Sequence, residues 1–217
     1  MLKNLYRFNL EGMQELITKI KELEKDIGKI VQKRIMEFNE MKSKSNIDWF
    51  LELCFCILTA NSSAKLGIRA QIEIGSGFLT LPQQELADKL KVLGHRFYRK
   101  RAEYIVEARK FRNIKDNVTS MRPKKARIWL KDNIKGIGMK EASHFMRNVG
   151  FLDFAILDRH VLDVLSRYGL ITKPRHLSVA EYLRIEEKVL DLASKVGMKA
   201  GELDLYLWYL KTGEILK

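Results

Sequence analysis

The chain has 217 residues and a mass of 25.3 kDa; 46% of its residues are apolar and only three are prolines. That is ample material for a hydrophobic core, so disorder is not the default reading. No stretch approaches the roughly 18 continuous apolar residues of a membrane span, and residues 1–7 open no apolar secretory segment, so a cytoplasmic protein with no membrane association is expected. The net charge of +13 comes almost wholly from residues 91–147, which hold 17 basic and 5 acidic residues. Such a segment suits a solvated surface, an anionic lipid or, through counterion release, nucleic acid.

Apolar residues recur at steps of three and four from Leu10 through Met13, Ile17, Ile20, Leu23, Ile27, Ile30, Val31, Ile35 and Phe38 to Met41, which predicts one long amphipathic helix. Asn46 or Asp48 can cap a second helix, whose run over 49–58 is apolar nearly all round and therefore buried. Cys54 and Cys56, the only cysteines, lie in that run; their i, i+2 spacing suits neither a disulfide framework nor a four-ligand metal site, and they are read as core. Further helices are expected at about 64–73, 82–93, 97–111, 123–133, 139–149, 159–168, 179–196 and 200–212, with Pro82 and Pro123 at first-turn positions. In the last, residues 203–210 are apolar on every side except at Asp204, which predicts a helix wedged into the core. No strand alternation, repeat or long linker is present, so the expectation is a single all-α unit over 1–217 made of two helical lobes.

Within 123–149, one helix ends at Gly136, Ile137 follows, and Gly138 opens the next helix. This reads as a helix-hairpin-helix, with Ile137 plugging the gap and the amides at Gly136, Gly138 and the helix N-terminus offered to a phosphate, helped by Lys135. An ordinary αα-turn with a glycine C-cap has the same pattern. The spacing puts Met139, Ala142, Phe145, Met146 and Val149 on one face of the next helix and Lys140, Ser143, His144 and Arg147 on the other, away from the core. Lys140 stands one turn from the helix's positive end beside other cations, where an amine can act as a nucleophile; a solvated surface lysine is the plainer alternative. The apolar run before Asp158 delivers that carboxylate to the mouth of the helix at 159–168, as an N-cap, as a catalytic acid, or as both. His95, His144, His160 and His176 form no metal or nucleophile-activating set.

Through Lys-Gly-Ile-Gly-Met-Lys-Glu-Ala-Ser-His-Phe at 135–145 and Leu-Asp-Arg-His at 157–160, the chain resembles the helix-hairpin-helix DNA glycosylases that include endonuclease III. It is most similar to the second, archaeal and thermophile-type class of 8-oxoguanine DNA glycosylase/AP lyases. The resemblance implies an all-α, two-lobed fold with a hairpin and no iron–sulfur cluster, since no cysteine follows Cys56. It implies a cofactor- and metal-free monomer acting on double-stranded DNA that contains 8-oxoguanine or an abasic site, with Lys140 as the Schiff-base lysine and Asp158 as the catalytic aspartate. It further implies Asn61 as the residue that fills the gap left by an extruded base, and Trp208, Phe97 and Lys217 as base-pocket residues. Each has a plain reading beside it: a turn or cap for Asn61, core packing for both aromatics, and a frayed tail for Lys217. Two other functions fit the same motifs, a non-catalytic DNA-binding module and a glycosylase for another oxidised base.

Overall fold

A computed structural model describes residues 2–217, with side chains from Glu11 onward; the predicted burial of Leu10 lies outside the described side chains. Among the described residues there is no strand. Twelve α-helices follow in order: α1 (Leu2–Glu40), α2 (Asn46–Thr59), α3 (Ala64–Ile74), α4 (Gly77–Thr80), α5 (Gln83–Val92), α6 (Tyr98–Ala108), α7 (Ile114–Thr119), α8 (Pro123–Asn133), α9 (Met139–Asn148), α10 (Arg159–Arg167), α11 (Val179–Val196) and α12 (Ala200–Thr212). The helices at 123–133, 179–196 and 200–212 run between the expected limits. The spacing misses α4 and α7, which are too short to show a 3.6-residue period, and the helix expected at 97–111 passes after Ala108 into a 3₁₀ turn, Arg109–Phe111.

The chain divides into two compact units. One comprises the chain up to Glu37 together with Phe151–Ile215. Here α1 buries Leu16, Ile17, Ile20, Ile27 and Val31, while Ile30, expected in the same stripe, is 57% exposed because it falls between the buried rows. α1 passes so close to the end of α10 that a Cβ at Gly12 would stand 1.9 Å from the Tyr168 carbonyl oxygen. α12 fills the centre with Leu203, Leu205, Tyr206 and Leu207, and Asp204 is buried with them; from Trp208 onward the helix emerges to half-exposure.

The other unit comprises Phe38–Gly150 and Leu216–Lys217. Its axis is α2, in which Phe50 and every residue from Leu53 to Leu58 are inaccessible to solvent, Cys54 and Cys56 included. The helix is opened not by Asn46 or Asp48 but by Ser45, whose hydroxyl accepts the Asp48 amide at 3.2 Å while the Asp48 carboxylate accepts the Ser45 amide at 2.9 Å. That reciprocal box frees Asn46 to bond across to α7, where its side-chain oxygen accepts the Lys115 amide at 2.8 Å. α3, α6, α7 and α9 pack around α2. Three arginines of the basic segment are structural. Arg101 donates to the Ile57 and Ala60 carbonyls at the end of α2, Arg127 donates to Ser143 Oγ at 3.2 Å, and Arg147 lies 4.8 Å over the Phe38 ring. Of the other basic residues in this segment, Arg96, Arg99, Lys100, Lys124 and Lys125 are among those exposed.

Candidate active site

α8 and α9 form the expected hairpin. Its plug is observed: Ile137 is 4% exposed and its amide bonds the Ile134 carbonyl at 3.2 Å. Gly136 has φ +84, and a Cβ there would stand 2.7 Å from the Tyr104 ring. Gly136→Ala is therefore expected to destabilise the fold by roughly 1–3 kcal/mol, because a left-handed backbone and a side-chain overlap act together. A melting curve checks it, since each kcal/mol lowers Tm by about 2–4 °C in a chain of this size. The Gly138 amide is not open to a ligand, because Glu141 accepts it at 3.2 Å and caps α9; the first amides of α9 have no intrahelical partner. Lys135 is exposed and ion-paired with Glu107 at 2.8 Å, a surface contact that a phosphate can displace.

The expected polar face of α9 is not a surface. Ser143, His144 and Arg147 are buried along with Ala142 and Phe145, covered by Arg127 of α8, Phe55 of α2 and Phe38 of α1 in turn. His144 packs edge-on to Phe55 at 5.5 Å, and burial first, then the Arg147 and Lys140 cations, hold its imidazole well below the ordinary value of 6.5. Lys140 stays partly accessible, its side chain 23% exposed, and it has a carboxylate as well as cations for neighbours: Glu141 Oε1 lies 2.9 Å from its Nζ.

Asp158 is the N-cap of α10. Its Oδ1 accepts the amides of His160 and Val161, each at 2.8 Å, which leaves Oδ2 uncommitted. His160, which the sequence places in no metal or nucleophile-activating set, meets Trp208 edge-on at 4.8 Å, and Trp208 Nε1 and His160 Nδ1 are both buried without a hydrogen-bond partner. The structure thus gathers Asp158, His160 and Trp208 in one unit. Trp208 is half-buried, with its indole nitrogen inside.

Lys217 is no frayed tail. Its Nζ pairs with Glu52 Oε2 at 2.8 Å and lies 4.4 Å over the Phe55 ring. Glu52, nearly buried in α2, also accepts from Asn148 at 2.6 Å. Glu52, Asn148 and Glu141 have no place in the sequence expectation, although a lone carboxylate inside the apolar run 49–58 is a signal for the first. Phe97 is not core: it is 59% exposed, has φ +57, and lies under the Arg96 guanidinium. Asn61 is exposed at φ +52 and does not cap α3, which Ser63 does. Among the described residues these two are the only non-glycines at positive φ, a conformation that persists where surrounding structure enforces it and that clusters at binding sites.

No described helix is long and apolar enough to cross a membrane, and among the described residues no three His, Cys, Asp or Glu side chains gather as a metal site. Residues 31–198 match the family described as 8-oxoguanine DNA glycosylase. The chain is 60% identical over 205 residues to the 8-oxoguanine DNA glycosylase/AP lyase of Methanocaldococcus jannaschii, spanning 93% of this chain and 99% of that one. It is 46% identical to the Korarchaeum cryptofilum protein of that name over 95% of this chain and all of the other. The fold matches the crystal structure of the M. jannaschii glycosylase/lyase in complex with 15mer DNA containing 8-oxoguanine, with a TM-score of 0.92 and 59% identity over 94% of this chain and all of that one. It also matches the Thermotoga maritima 8-oxoguanine DNA glycosylase, with a TM-score of 0.90 and 46% identity over the same share of this chain and all of that one.

Proposed function

This chain belongs to the 8-oxoguanine DNA glycosylase family, and from that premise we propose that it excises 8-oxoguanine from duplex DNA and then cleaves the strand as an AP lyase. The observation that carries the reading is Lys140, a partly accessible amine on the first turn after the hairpin, at the motif position of the family's Schiff-base lysine.

C1′ of a stacked nucleotide is out of reach, so the damaged nucleotide rotates from the duplex at a cost of a few kcal/mol, offset by backbone contacts and stacking. The amides of Gly136 and of the first turn of α9, with Lys135, hold the phosphates. Asn61 fills the gap. Phe97, Trp208 and Lys217 contact the extruded base, the aromatics by stacking and Lys217 by its position on Phe55. The Lys140 amine attacks C1′; the glycosidic bond breaks with its electron pair leaving on the base. Asp158 stabilises the positive charge building on the sugar through its uncommitted Oδ2. The resulting Schiff base acidifies the C2′ protons, and β-elimination cleaves the strand 3′ to the lesion. The enzyme acts as a monomer in the cytoplasm, and abasic sites enter the same sequence at the amine-attack step.

Duplexes bearing a single 8-oxoguanine, a single oxidised pyrimidine or an abasic site separate this from the other readings. The 8-oxoguanine and abasic strands should be cut with a β-elimination end, and the pyrimidine strand should remain whole. Binding without cutting of any of them would make the chain a phosphate clamp.

A further inference from the structure

The amine chemistry above needs a proton acceptor at Lys140 Nζ. A lysine ammonium must lose a proton before its lone pair is available. Once the N–C1′ bond has formed, the nitrogen carries a positive charge and a second proton that must leave before a C=N bond can form.

We propose that Glu141 is the base that takes these protons. The assignment rests on the reading of Lys140 as the nucleophile. Glu141 Oε1 lies 2.9 Å from Lys140 Nζ, within hydrogen-bond reach of the reacting atom. The carboxylate is held in place from its other oxygen: Oε2 accepts the Gly138 amide at 3.2 Å, so the cap of α9 doubles as the support that keeps Oε1 on Nζ. Its side chain is only 12% exposed, which limits exchange with bulk water and fixes its direction. The neighbouring groups on α9 are poor substitutes. Arg147 is a cation, and buried His144 takes a proton reluctantly.

The step balances as follows. Glu141 Oε1 first takes a proton from the Lys140 ammonium and releases it to water; the freed Nζ lone pair then forms N–C1′ as C1′–N9 breaks, and the base leaves with that electron pair and takes a proton from water. An N–H bond of the new ammonium breaks, its proton passing to Glu141 Oε1. The freed lone pair on nitrogen forms C1′=N and expels O4′, which takes a proton from water, and Glu141 returns its own to water. No redox change occurs.

Glu141→Gln tests this cleanly because glutamine caps a helix as glutamate does. On an 8-oxoguanine duplex, borohydride trapping under single turnover should slow roughly 100-fold or more, while duplex affinity and Tm stay at their wild-type values. Glu141→Asp keeps the charge on a shorter arm and weakens the cap, so it should trap at least tenfold faster than Glu141→Gln even if it melts earlier. Trapping by Glu141→Gln at the wild-type rate or faster overturns the proposal, as does Glu141→Asp trapping no faster than Glu141→Gln, which would mean that the cap alone matters. If Glu141→Gln loses affinity or folding, the comparison with Glu141→Asp still decides. The nucleophile reading fails separately, through trapping by a protein that lacks Lys140.

Discussion

Replacement of Lys140 by glutamine is expected to abolish covalent trapping on 8-oxoguanine DNA under borohydride, with strand cleavage lost by several orders of magnitude and lesion binding retained. An amide nitrogen has no lone pair available for C1′, so neither the Schiff base nor the elimination it permits can form. The variant should fold. Glu141 keeps the Gly138 cap, and loss of a partly accessible ion pair between adjacent residues costs no more than about 1 kcal/mol. Gel mobility on unreacted duplex gives the affinity, and trapped complex on a denaturing gel gives the chemistry. Undiminished trapping would end the assignment of Lys140.

The second large effect is at Asp158. Asp158→Asn should slow base release roughly 10²- to 10⁴-fold while affinity changes little, because the charge that meets the developing sugar cation is gone. Asparagine caps helices about as well as aspartate, so its side-chain oxygen can go on accepting the His160 and Val161 amides, and the melting curve should barely move. Asp158→Ala removes cap and charge together and should lower stability by about 1 kcal/mol as well. If Asp158→Asn releases base at the wild-type rate while Asp158→Ala merely melts earlier, the residue is a cap and nothing more.

What was legible in the sequence follows from what periodicity reports. A helix carrying one apolar stripe, such as α11, announces both its limits and its buried face, and the paired glycines around Ile137 announced the hairpin because a φ of +84 at Gly136 admits little else. The polar face of α9 was misread for the same reason. A 3.6-residue period says which side is apolar and nothing about whether other helices cover the rest; Arg127 of α8 meets Ser143, Phe55 of α2 meets His144, and Phe38 of α1 lies against Arg147. For Phe97 it is the plain alternative of core packing that fails. Aromatic residues are usually interior, but this one is 59% exposed at a φ of +57.

By itself the sequence determined the all-helical class, most helix limits, the hairpin, and the chemical identities of Lys140 and Asp158, since these depend on residue type and local spacing. Only the tertiary structure decided that Glu141 and not open water stands against the lysine, that Glu52 and Phe55 hold Lys217 from 162 or more residues away, and that Trp208 meets His160. Such contacts join side chains far apart in the chain or turned toward each other by packing, and neither distance nor orientation in space is carried by local pattern.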